Sequence, residues 1–170
     1  MIVRVGVIGL VLLTAAVLQT SLLPFLALSG FRPDLLLLIT IAFALTDGLL
    51  SGLRIAFVAG VLTDLLLSAS PVGLTALVFL GVAYAVGTAR PYLAPDSGTA
   101  SILLAVGGTA VGVAGYGMLA AMLADDPIAL GLVVQATLVS AIYAAFLAPL
   151  VTAMVRGLSR QFPTEQGGIA

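Results

Sequence analysis

Three aspartates, Asp34, Asp47 and Asp64, stand within or at the ends of otherwise apolar runs. A carboxylate in such a place can carry a proton, pair with an arginine or close a helix N-terminus. Burying its charge at a helix centre costs about 2.5–3.5 kcal/mol on insertion scales, and less near an interface. Asp64 ends a stripe of Gly52, Ala56, Gly60 and Asp64 at intervals of four, which puts all four on one helix face. The three small residues let a neighbouring helix come close. Two readings of Asp64 follow. It reaches interfacial water or caps a nearby helix N-terminus, such as the one at Pro71-Val72-Gly73, or it faces a pocket or partner. Asp47 lies near Arg54 across Ser51-Gly52, and this spacing predicts an interfacial ion pair in preference to a transport role. Asp34 follows Pro33, a pairing that suits a first helical turn, with Arg32 as its partner.

Further along, Gly108 and Gly112, with Tyr116 one turn on, form a small-residue face. In so glycine-rich a segment, packing within one bundle is the preferred reading over a dimer face. Gln135, Val139 and Tyr143 share a line. Gln135 and Tyr143 can bond to a neighbouring helix or line a polar pocket, and helix packing is the preferred reading here too. Reactive chemistry is thin. The chain has no Cys, His or Trp, which removes disulfides, thiol catalysis, thiolate metal sites and the commonest proton shuttle. It shows no phosphate-cradling loop, no nucleophile beside a base, no metal-ligand spacing and no relay of carboxylates. Neither enzyme activity nor a cofactor or metal is expected, and no basic cluster points to nucleic acid.

The elements that position these residues follow from composition. The chain is 62% hydrophobic and 8% charged, with a mean hydropathy of +1.30. Soluble domains carry about 25% charged residues. Lipid is the solvent that fits. A span takes roughly 20 apolar residues, and prolines, glycines and charges divide the chain into six such runs. The first runs from about Val3 to Leu23 and is read as an uncleaved helix, stopped at Pro24. The second begins at Pro33-Asp34 and reaches about Leu50. Ser51-Gly52 turns the chain into the third, which ends near Ser68. The fourth opens at Ser70-Pro71 and ends at Arg90-Pro91. The fifth runs from about Thr99 to Ala124, and the sixth from about Ile128 to Arg156, bent at Pro149. The expected organisation is an all-α six-span bundle over residues 1–156 and a polar, disordered tail over 157–170. The second and third helices are either full spans or a re-entrant hairpin.

Gly30-Phe31-Arg32-Pro33-Asp34-Leu35-Leu36-Leu37 resembles the opening of the second helix in the MreD family of rod shape-determining proteins. Asp47-Gly48, Gly52, Gly60-Val61-Leu62-Thr63-Asp64-Leu65 and Pro71-Val72-Gly73 are similar to that family's downstream pattern. Ala56 stands where the pattern has glycine and keeps the face small. The likeness, with length and span number, covers nearly the whole chain. It implies a non-catalytic subunit of the side-wall peptidoglycan machinery in the bacterial plasma membrane. The implied partner is the bitopic protein MreC, and through it the MreB filament and the wall synthases. It also implies a bundle similar to the substrate-binding subunits of energy-coupling-factor transporters. A scaffold would use Pro33, Asp34, Gly52, Gly60, Asp64 and Gly73 toward a partner or an outward pocket. A vitamin-binding subunit is the alternative, with Asp64, Tyr116, Gln135 and Tyr143 as its candidate polar groups.

Arginine placement sets the orientation. With the N-terminus inside and six spans, Arg4, Arg54, Arg90, Arg156 and Arg160 fall on the cytoplasmic side, and Arg32 falls outside beside Asp34. This matches the excess of Lys and Arg on cytoplasmic loops. A reporter fused to Ala170 is therefore expected in the cytosol: a fluorescent protein there should glow and a periplasmic phosphatase stay silent.

Overall fold

The computed structural model describes residues 2–21, 30–31, 33–67, 73–92, 98–123 and 130–161. The six expected helices are α1 (Ile2–Ser21), α2 (Leu35–Asp47), α3 (Leu49–Leu67), α4 (Leu74–Ala89), α5 (Gly98–Leu123) and α6 (Leu130–Gln161). A 3-10 turn, Arg90–Tyr92, follows α4. Among the described residues, five helices are long and apolar enough to cross a membrane. The exception is α2. Its 13 residues rise about 20 Å, against roughly 30 Å of hydrocarbon.

What α2 lacks in length it makes up in burial. Every residue from Leu36 to Leu45 is buried, as expected of a helix that is apolar on all sides. The other five helices pack around it. Their directions can be read from glycine contacts. Gly60 meets Ala76 and Gly87 meets Leu49, so α3 and α4 run antiparallel. Gly108 lies against Ile41 and Val86, and Gly112 against Leu37 and Val82, so α5 runs antiparallel to both α2 and α4.

The joint between α2 and α3 departs from expectation. The turn is not at Ser51-Gly52, both of which are inside α3. It is one residue, Gly48, with φ +90°, a conformation that a side chain disfavours. Gly52 has a different task. A Cβ there would stand 2.6 Å from the Ala44 Cβ, so its hydrogen is what lets α3 fold back along α2.

The far end differs as well. The helix continues through Gly157 to Gln161, five residues beyond the expected start of the tail. One exposed glycine costs about 1 kcal/mol, too little to end a long helix. Pro163 is the next breaker in the sequence, and residues 162–170 lie outside the described residues.

Gly60 is the tightest of these contacts. A Cβ there would come within 2.3 Å of the Ala76 Cα, a backbone atom that cannot rotate away. Gly60→Ala should force α3 and α4 apart and destabilise the bundle by about 2 kcal/mol or more. Gly81→Ala, on an open face of α4, should be neutral or stabilising by up to about 1 kcal/mol. Thermal unfolding of both variants in one detergent checks the contrast. Equal melting temperatures would contradict the packing.

Candidate functional site

The N-terminus of α4 has four backbone N–H groups without helical acceptors. Its own N-cap residue, Gly73, has φ +104° and no side chain to offer. The acceptor comes from α3. Asp64, 4% exposed, accepts hydrogen bonds from the backbone N–H of Gly73 at 2.8 Å, Thr75 at 3.2 Å and Ala76 at 3.4 Å. A carboxylate there also meets the positive end of the helix dipole. Gly60 and Asp64, one turn apart, therefore act together: the glycine admits the first turn of α4, and the carboxylate holds it.

The N-terminus of α2 is closed by a similar arrangement. Asp34 is the N-cap and accepts from the Leu37 N–H at 3.0 Å. Gln19, near the end of α1, donates its amide to Asp34 at 3.3 Å and accepts from the Leu36 N–H at 3.2 Å. In each hairpin, then, a side chain at the end of the first helix binds the start of the second. Pro33 is buried just before the cap. Arg32, the expected partner of Asp34, lies outside the described residues.

At the opposite end the groups are cationic. Asp47 pairs with Arg4 of α1 and not with Arg54, which points outward. The Arg90 guanidinium donates to the Thr46 carbonyl at 3.0 Å, closing the last turn of α2. It passes over Gly48, where a Cβ would stand 3.2 Å from its Nη1. Arg156 donates to the Ser101 hydroxyl at 2.7 Å and joins α6 to α5. Sequence reasoning missed Arg4, Gln19, Gly48 and Arg90 as structural partners. Their signal was present, since each is a lone polar or glycine residue at the end of an apolar run.

The remaining predicted residues separate by position. Gly52, Ala56 and Gly60 are buried against the chain's own helices, as is Gly112, and the half-buried Gly108 also packs inward. Tyr143 is half-buried and engaged. Gln135 points away from the bundle. A crevice lined by Ala16, Gln19, Thr20, Leu36, Thr63 and Leu66 opens beside the α2 cap. Among the described residues no group of three His, Cys, Asp or Glu is placed to hold a metal. Asp64 uses both carboxylate oxygens, and Asp34 its Oδ1, on N–H donors, so the arrangement holds helices together.

With this geometry established, comparison with known proteins is decisive on one point. The family described as rod shape-determining protein MreD matches residues 2–158 of the chain. The chain belongs to the MreD family. It is a rod-shape-determining, multi-pass membrane protein. No curated protein and no solved structure matches it, so the likeness to energy-coupling-factor subunits stands as an expectation only. Within that resemblance, Asp34, Asp47, Asp64, Gly52 and Gly60 join this chain's own helices.

If Asp64 is the cap of α4, Asp64→Ala should lower stability by about 2 kcal/mol, since it strands buried donors that now meet a charge. Asp64→Asn, which keeps one acceptor oxygen, should lose less. Unfolding of the purified variants in detergent gives both numbers. An unchanged melting temperature for Asp64→Ala would remove the cap from the account.

Proposed function

We propose that this MreD-family chain is a non-catalytic membrane scaffold of the wall-elongation machinery. It binds a bitopic MreC-like protein and, through that partner, connects the MreB filament to the wall synthases. The arginine end faces the cytoplasm, with both chain termini, and the Asp34 and Asp64 end faces outward. One observation supports this reading above the rest: the acids and most arginines described above are committed to joining the chain's own helices. A bundle fixed in this way offers a stiff apolar exterior, the kind of surface that a single transmembrane helix recognises through packing and a few polar contacts. The small-residue faces of α3 and α5 are already filled from within by α2 and α4. The partner helix therefore docks on the lipid-facing exterior.

A vitamin-binding subunit would need several polar groups converging on an enclosed volume of about 300–1,000 Å³. Among the described residues, the crevice beside the α2 cap has a cavity volume of about 10 Å³, room for about one water, and Tyr116, Gln135 and Tyr143 do not line it. The scaffold reading is the better supported of the two.

Co-expression with a tagged MreC-like partner, followed by mild extraction, should yield a stable complex of the two chains. Recovery of this chain alone under those conditions would overturn the proposal. A melting temperature raised by one member of a vitamin panel would favour the alternative.

A further inference from the structure

Gln135 breaks the pattern of the exterior. It lies on the exposed side of α6 among apolar residues, and it forms no hydrogen bond with any described residue. Its depth follows from the register of α5 and α6. Gly117 of α5 touches Val133, which fixes the two helices side by side. Beyond Gly117, α5 continues without a charge to Leu123, a further rise of about 9 Å. Met118, Met122 and Leu123 on that stretch are exposed, an apolar surface that suits hydrocarbon and not water. Gln135 lies on the inner side of Val133, about 12 Å below the end of α5. A primary amide at that depth has no water to bond with, and lipid tails offer nothing in return.

The surroundings suit a second helix. Gly131, Gln135, Leu138, Ile142 and Ala145 are all exposed, at alternating spacings of four and three. That is the seam of a left-handed helix pair. Nothing lies within 4 Å of the position a Gly131 Cβ would take, so a neighbour can approach closely one turn from the amide. Pro149, in the interior of α6, has no N–H for the Ala145 carbonyl, which lies on the same seam.

We propose that this face of α6 is the interface between two copies of the chain, centred on a Gln135–Gln135 contact. The choice of partner rests on chemistry. A primary amide carries both an acceptor and donors, so two identical amides facing each other across a two-fold axis satisfy one another. Two copies in the same membrane orientation bring Gln135 to the same depth without any further requirement. An unrelated helix would need a matching polar group at that level. The interface is independent of the scaffold reading, because it forms from this chain alone.

The chain has no cysteine, which makes single-cysteine crosslinking in native membranes clean. Cysteines at Gly131, Leu138 and Ile142 should give an oxidised dimer when the chain is expressed without wall-machinery partners. Cysteines at Leu65 and Val111, exposed on α3 and α5, should not. Gln135→Leu in the Leu138→Cys background should weaken association about tenfold, while Gln135→Asn should retain it. Equal crosslinking on all faces, no dimer at the seam, insensitivity to Gln135→Leu, or an adduct with another protein in place of the dimer would each overturn the proposal. None of these outcomes bears on capture of an MreC-like partner, so the two readings fail separately.

Discussion

The structure depends on closing the two ends of a helix that is too short to find water. At 13 residues, α2 rises about 20 Å within roughly 30 Å of hydrocarbon. Terminal backbone groups that would hydrate freely in a soluble protein cost several kcal/mol each when left bare in lipid. Asp34 and Gln19 close the N-terminal end, and Arg90 closes the C-terminal end through the Thr46 carbonyl. The donors and acceptors come from α1 and α4 as well as from the cap residue. Closing α2 thus draws its neighbours into place, and their packing faces follow.

A division of labour emerges between glycines and charges. Gly52, Gly60 and Gly87 each remove a side chain where two helices touch, and dispersion over those close contacts supplies cohesion without direction. Asp64, Asp34, Arg4 and Arg90 supply direction, because a capped N-terminus or a paired arginine is satisfied in one register only. Neither set suffices alone. Glycine seams without pins could slide by a turn, and pins without seams would hold helices too far apart for the caps to reach.

Much of this was legible in the residues. Prolines and charges marked the six helices, and the four-residue spacing from Gly52 to Asp64 identified a real packing face. Capping of α4 by Asp64 was one of two readings, and the neighbourhood of Gly73 made it concrete. The failures share a cause. Spacing alone matches Asp47 with Arg54, a close neighbour in sequence, whereas its partner is Arg4, 43 positions away. Contacts between α1 and α2 cannot be inferred from spacing along either one. The exchange of roles between Gly48 and Gly52 is of the same kind. A glycine's identity does not say whether its backbone freedom or its missing side chain is being used. Gln135, expected to pack within the bundle, lies on the exposed side of α6.

The capping of α2 also bears on how the chain is made. The core helix leaves the ribosome before α3 and α4, yet the group that closes its C-terminal end is Arg90, more than forty residues later. Before that arginine is synthesised, α2 is a brief apolar rod with open carbonyls, too short to anchor itself in the bilayer. Its natural course is to enter the membrane as one arm of a pair with α3 and to reach its final place only when α4 arrives. The centre of the molecule is thus completed late, from the outside in, and truncation before Arg90 would leave a nascent chain without a finished core.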